Sequence, residues 1–346
     1  MADLTNALHD RGHDLYVAVR PRSPLVEQLR LPPGKIKTLP LRNALDVRIA
    51  HELARFVRTH EIDVVHAHVA RDYALAAYAT RRNPSTKFIV TRHVLFPLNR
   101  LHRQTLGRVH RVIAVSNAVA KELRGARIMN DDRIAVVRNG VDVARIDRAF
   151  ASRDGHYLSS HGLPSDRLLV GSIGELRTLK RHEDFIRAAA LVAAKQSRTD
   201  FVLAGVDTSG SDEMRKKLER LVAELGLQDC FHFLGWLDDP AQLLFVLDVF
   251  VSASETESFG LAIAEAMAAE VAVVATETEG ARELIEDRQT GLLVPIGDVA
   301  RIAEAVRLLL IDSQQRVEIG KRAREAVIAR FSLQRMVDEI ERIYIA

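Results

Sequence analysis

Glu257 and Glu265 stand eight positions apart in the stretch Glu257-Ser258-Phe259-Gly260-Leu261-Ala262-Ile263-Ala264-Glu265-Ala266-Met267. That spacing is just over two helical turns, so both carboxylates point along one face if the residues between them are helical. Serine and glycine sit where such a helix would begin, directly after the apolar run VFVSAS at 249–254. Unpaired backbone N–H groups and the positive end of the helix dipole favour a phosphate at that place. Carboxylates accept hydrogen bonds from sugar hydroxyls, so the combination suits a ligand that carries both sugar and phosphate. Two solvated glutamates on an amphipathic helix fit the same spacing.

A second group of reactive side chains lies in the first half. His66 and His68 close the run IDVVHAH, and His93 follows Arg92 at the end of KFIVTRH. Both runs read as strands, and open α/β sheets bind ligands at the C-terminal ends of their strands. Alternation places His66 and His68 on the same side. Spacing supplies no third ligand, so no metal site is expected. His93 and Arg92 are candidates for the acceptor or phosphate side, with a packed histidine at a strand end as the competing reading for His66 and His93. The segment 91–111 interleaves Arg92, Arg100, Arg103, Arg108 and Arg111 with Val94, Leu95, Phe96, Leu98 and Leu101. Such a stretch can lie on an anionic membrane face or hold a lipid-linked or phosphorylated acceptor, or pack as a helix on its own sheet.

The elements that must position these residues alternate along the chain. Short β-branched runs at 15–20, 62–68, 87–93, 111–116 and 133–139 are separated by helical patterns. In DVRIAHELARFVRTH, for example, Val47, Ala50, Leu53, Ala54 and Val57 share one face. The second half repeats the grammar at 168–174, 200–205, 230–235, 249–254, 271–276 and 290–295. Strands alternating with helices imply an α/β protein with parallel sheets covered on both sides. The stretch 150–167, rich in Ser, Gly, His and charge, reads as a linker. The expected domains are therefore 1–152 and 153–330, with 331–346 a terminal helix returning to the first. Leu4, Ala7 and Leu8 already have helical spacing, so the chain opens inside a helix. The first strand of a doubly wound domain, and the glycine-rich turn that follows it, are expected to be missing from the start.

Composition narrows the class. The 346 residues are 47% hydrophobic and 27% charged, enough for sizeable cores and unlike a disordered chain. One cysteine, Cys230, excludes an internal disulfide and any cysteine zinc site, and points to the cytosol. No run reaches a membrane span and no apolar leader is visible. The net charge of +3 conceals an asymmetry: residues 1–150 hold 26 basic and 14 acidic side chains, the remainder 23 and 32. A basic half can attract an anionic membrane or a phosphorylated substrate. Nucleic acid is disfavoured because aromatic stacking platforms are scarce, at 5% of residues.

Several motifs occur together and in order: Asn139-Gly140-Val141-Asp142, Gly174 through Lys180, the Glu257 to Glu265 stretch, Gly280-Ala281-Arg282-Glu283 and Phe331-Ser332. Together they resemble the family 4 retaining glycosyltransferases, the group 1 glycosyl transferases. That resemblance implies the GT-B fold of two facing Rossmann-like doubly wound domains, the second holding a nucleoside diphosphate sugar that is a substrate rather than a cofactor. It also implies that Glu257 binds hydroxyls of the donor sugar and Glu265 the ribose. By the same carry-over, the backbone at Phe259, Gly260 and Leu261 lies against sugar and phosphates, and Lys180 neutralises the diphosphate in the loop that starts at Gly174. The family has arginine directly after that glycine; here Glu175 occupies the position, and Arg177 is the substitute. His68 is the preferred match for the histidine that bonds the transferred sugar.

The expected activity is retaining sugar transfer to a hydroxyl acceptor, a cell-envelope glycan or lipid-linked molecule, with Lys180, Glu257 and His68 carrying the chemistry and no metal required. Glu175 and the missing glycine loop motivate a rival, an impaired GT-B scaffold that binds nucleotide or a partner. A third reading is a nucleotide-sugar epimerase. The expected location is cytoplasmic, with peripheral contact to the membrane face through the basic half.

Overall fold

The computed structural model describes residues 1–41, 46–96, 98, 102–151 and 156–346. Packing divides the chain into two units, one formed by residues 1–140 with 333–346, the other by 141–332.

The first unit contains β1 (Val17–Val19) and β2 (Ile36–Thr38), paired in a two-stranded sheet. It also holds a four-stranded sheet of β3 (Val64–Ala67), β4 (Lys87–Arg92), β5 (Arg111–Ala114) and β6 (Ile134–Val136), in that order. All pairings are parallel. The helix Ala2–Asp10 buries Leu4 and Leu8 against Ile89 and Ile113 of the sheet and Leu333, Val337 and Ile340 of the helix Leu333–Ile345. Burying an apolar side chain of this size stabilises by roughly 1.5–3 kcal/mol, so this cluster ties the two separate chain segments into one core. Lys87 adds its ammonium to the carbonyls of Tyr344 and Ile345, where the helix dipole is negative.

The second unit has one six-stranded parallel sheet. Its strands are β7 (Leu168–Ile173), β8 (Thr199–Ala204), β9 (Phe231–Gly235), β10 (Val249–Ser252), β11 (Ala272–Thr276) and β12 (Leu292–Val294). The spatial order is β12-β11-β10-β7-β8-β9. Every residue of β8 and β11 is buried, as expected for central strands covered on both faces. From β7 the chain winds first toward β9, then returns to β10 on the other side. The crevice at the C-terminal ends of β7 and β10 is therefore the switch point, where doubly wound sheets bind ligands.

The structure adds detail to the sequence reading. Val47 is 62% exposed while Ile49 takes the buried place on the helix Val47–Thr59, because Val47 occupies the first turn beside the Asp46 cap. The stretch 150–167 is partly packed: the helix Val143–Ala151 belongs to the second unit, Tyr157–Ser160 is helical and Leu163 is buried. The division by packing falls after Gly140, whereas the expected boundary at 152/153 lies outside the described residues, as do Arg100 and Leu101 of the basic segment. The strand Ile36–Thr38 is additional.

Candidate active site

At the switch point of the second unit, two loops meet. After β7, Gly174 donates its N–H to the Ala204 carbonyl, 3.0 Å away, and the chain makes a 3-10 turn over Thr178–Lys180. After β10, the loop carries Ser254 and Glu257. Backbone joins the loops, Glu255 N–H to Leu179 O at 2.9 Å. Side chains then follow: Lys180 Nζ lies 2.6 Å from Glu257 Oε1, which also accepts a hydrogen bond from Ser254 Oγ at 2.8 Å. Lys180 and Glu257 are thus brought together from positions 77 residues apart.

Glycine shapes the Glu257 loop from beneath. Gly280 donates its N–H to Glu257 O at 3.0 Å, and a Cβ there would stand 2.7–2.8 Å from backbone atoms of Glu257 and Phe259. Only glycine permits that approach. Gly260, at φ +95°, then begins the helix Leu261–Ala268 with no side-chain cap, which leaves first-turn amides for a ligand oxygen. Phe259 is 2% exposed and packs edge-on against Phe331 at 5.7 Å, so its ring is core. Leu261, the first helical residue, is exposed.

The two glutamates do not share a helix face. The left-handed turn at Gly260 delays the helix to Leu261, so Glu257 sits in a loop and only Glu265 is helical. Glu265 has its own cation: Arg145 Nη2 donates to Glu265 Oε1 at 2.7 Å and Nη1 to Asp239 Oδ1 at 2.9 Å. Arg177 pairs instead with Glu175 at 3.2 Å, and Glu175 also accepts a hydrogen bond from the Thr208 hydroxyl. His182 is buried beneath this loop with Nε2 3.1 Å from Glu175 O, and desolvation lowers its pKa to about 4. Trp236 is 66% exposed, its Nε1–H bonded to Asp238 Oδ1.

At the corresponding ends of β3 and β4 in the first unit, histidines cluster. The rings of His66 and His68 lie 4.1 Å apart, on one side of β3. Both nitrogens of His66 are engaged, Nδ1 with the Tyr344 hydroxyl at 2.6 Å and Nε2 with Thr91 Oγ1 at 2.7 Å. Both bonds tie the ring to neighbouring elements of the first unit. His68 Nδ1 and His93 Nε2 are 3.2 Å apart, so one of the two donates to the other. Desolvation is the first cause of depressed pKa values in all three: His66 falls to about 3, His93 to about 4 and His68 well below its usual value, with His66 next in pushing His68 down. These imidazoles are neutral at physiological pH and act as hydrogen-bonding groups. Arg92 is buried, donating to the Phe96 carbonyl and reaching the Tyr73 hydroxyl. It holds the loop after β4. Among the described residues, no group of three or more His, Cys, Asp or Glu side chains is placed to hold a metal ion.

The residues missed in sequence are the partners: Ser254, Arg145, Asp239, His182 and Tyr344. Ser254 has a usable signal, three positions before Glu257 at a strand end. Arg145 lies in the charged helix Val143–Ala151, where nothing distinguishes it from Arg148; its meaning comes from contacts 94 and 120 residues away. The motif at 139–142 also finds a structural account. Asp142 Oδ1 accepts the Arg145 N–H at 2.9 Å, as a helix cap would, and Val141 donates its N–H to Phe331 O at 2.8 Å.

Parallel α/β sheets in two units, with the polar cluster of the second at its switch point, define the GT-B class of glycosyltransferase. Residues 156–326 match the family of glycosyl transferases group 1, and residues 1–145 match glycosyltransferase family 4. The chain is similar to the N-acetyl-alpha-D-glucosaminyl L-malate synthase of Bacillus anthracis, 30% identical over 310 residues that cover 86% of this chain and 78% of that one. It is also 30% identical to the lipopolysaccharide core biosynthesis mannosyltransferase LpcC of Rhizobium leguminosarum, over 77% of each chain. In fold it resembles a glycosyltransferase of Rickettsia africae, with a TM-score of 0.87, 23% identity and coverage of 99% of this chain and 92% of that one. Anabaena Alr3699/HepE in complex with UDP-glucose gives a TM-score of 0.82 at 23% identity, covering 99% and 93%. The chain belongs to glycosyltransferase family 4 and is a glycosyltransferase.

Proposed function

We propose that this enzyme moves a sugar from a nucleoside diphosphate donor, bound by the second unit, to a hydroxyl of an acceptor, with retention of anomeric configuration. The observation that carries this reading is the Lys180–Glu257 pair beside the uncapped helix start at Gly260. A diphosphate there exchanges for Glu257 as the partner of Lys180, and the amides following Gly260 take a phosphate oxygen. Glu257, released, accepts from hydroxyls of the sugar, and Glu265 accepts from the ribose. The bond from the anomeric carbon to phosphate oxygen breaks as charge builds on the diphosphate, which Lys180 stabilises. The acceptor oxygen bonds to that carbon, and its proton passes to the leaving phosphate. His68, neutral, orients the sugar. Relatives whose names differ in both sugar and acceptor, an N-acetyl-alpha-D-glucosaminyl L-malate synthase and a lipopolysaccharide core mannosyltransferase, support sugar transfer as the shared activity.

The acceptor proposed is a cell-envelope glycan or lipid-linked molecule, met at a membrane face. Its support is the basic first half and exposed Val94 and Phe96 in the loop after β4. No helix among the described residues is long and apolar enough to cross a membrane. Incubation with a panel of UDP- and GDP-sugars and candidate acceptors tests the activity, and NMR of the anomeric proton tests retention. Unchanged transfer by Glu257→Ala and Lys180→Ala variants overturns the roles of these two residues. One observation favours a second reading: Glu175 occupies Arg177, removing a cation from the diphosphate. Calorimetric nucleotide binding without transfer or donor hydrolysis establishes an impaired, nucleotide-binding scaffold instead. Conversion of donor alone establishes an epimerase.

A further inference from the structure

Arg145 belongs to none of the motifs, yet among the described residues its side chain joins two stretches of the second unit that border the Glu265 carboxylate. Its guanidinium spans Asp239, in the loop after β9, and Glu265, on the helix Leu261–Ala268, at 2.9 and 2.7 Å. The residue is itself held at both ends. Its backbone N–H is bonded to Asp142 Oδ1, and Asp239 also accepts the N–H of Ala241, which anchors the loop to the short helix Ala241–Leu244. The three side chains are half-buried. A planar fork that bonds two carboxylates at once fixes their separation and orientation in a way that an ammonium cannot.

We propose that Arg145 is the positioning residue of the nucleoside subsite. It sets the Glu265 carboxylate at a fixed distance from the β9 loop, so that the carboxylate accepts both hydroxyls of a vicinal diol. A carboxylate offers about four acceptor sites, and the Arg145 bond takes one of them. This inference rests on the reading of Glu265 as the ribose carboxylate. Arg145 touches neither the sugar nor the diphosphate in that reading, so it acts on nucleoside binding and leaves the chemical step alone.

The test is calorimetric binding of UDP and GDP, and of their 2′,3′-dideoxy counterparts, to wild-type protein, Arg145→Met and Arg145→Lys. Wild type is expected to prefer the nucleotide with the intact diol. Arg145→Met is expected to weaken that nucleotide about 10-fold while binding the dideoxy form as wild type does, with Arg145→Lys between the two, since Glu265 loses the fork that aims its bonds at a diol. In turnover, the KM for donor rises with kcat little changed. Equal binding by wild type and Arg145→Met, or an equal loss for ribo and dideoxy forms, overturns the positioning role. A wild type that binds nucleotide without preferring the diol overturns the Glu265 assignment, and one that binds neither nucleotide overturns the donor reading as well.

Discussion

The C-terminal strand ends of the two parallel sheets are built with opposite chemistry. In the second unit, the edge is built of charges that neutralise one another, Lys180 with Glu257 and Arg145 with Glu265 and Asp239. In the first, it is built of uncharged rings and hydroxyls, His66 with Tyr344 and Thr91, and His68 with His93. Arg92, a cation at that edge, is spent on a loop carbonyl. Bulk charge does not foretell this: the strand ends of the basic half carry neutral rings, and the paired charges lie in the second unit, Lys180 from its own stretch and Arg145 from within residues 1–150. Net charge is a property of solvated surface, whereas a site is fixed by a few desolvated groups. Paired charges can exchange partners when a charged ligand arrives. Neutral hydrogen bonds instead impose shape without drawing any ion.

Lys180→Ala is the largest test of this contrast. In the proposed mechanism this cation stabilises developing charge, so its removal is expected to lower kcat about 100- to 1,000-fold, measured by donor turnover. His68→Ala, which removes the neutral group proposed to orient the sugar, is expected to cost only about 10-fold. An equal loss in both would mean the two edges share the chemical work. Gly280→Ala attacks the backbone support of Glu257. The added Cβ is expected to destabilise by about 1–3 kcal/mol, read as a lower melting temperature, and to raise the donor KM as the loop moves.

Acidification comes next and bears on the first edge more heavily, through His66, His68 and His93, than on the second, where His182 is likewise lowered to about 4. His66 and His93 titrate near 3 and 4 when folded and near 6.5 when unfolded, so between those values the unfolded chain binds more protons. Stability is intact above about pH 6.5 and falls as pH drops toward 4, by up to about 1.4 kcal/mol per pH unit for each proton. Urea midpoints across this window are expected to drop less in His93→Asn than in wild type. The smallest effect is that of Tyr344→Phe, about 1 kcal/mol from one lost hydrogen bond to His66. Its thermal shift is expected without any change in donor KM.

Much of the fold is readable from sequence, for identifiable reasons. Strands such as Thr199–Ala204 and Ala272–Thr276 contain continuous apolar runs because both faces are covered, and β-branched runs of that kind stand out. The three-residue strand Ile36–Thr38 does not, being short and half-polar. Glu257 and Glu265 are legible as a pair, but their supposed common face is not real, because a helical period cannot reveal that Gly260 turns left-handed. Arg145, His182 and Tyr344 are illegible for one reason. Each acquires its meaning from a partner in another element, and local pattern carries no trace of it. The charge of the halves misleads because surface arginines outnumber the few residues that face a ligand.

The first unit is discontinuous in sequence, since Leu333, Val337 and Ile340 complete the core begun by Leu4 and Leu8. A ribosome delivers the chain in one direction. Residues 141–332 form an uninterrupted unit that can fold as they emerge, whereas the strands made earlier must wait for the helix Leu333–Ile345 before their apolar face is covered. During synthesis the first-made half is thus the last to be finished, and the interval in which its exposed core invites aggregation is set by the time needed to translate the other half.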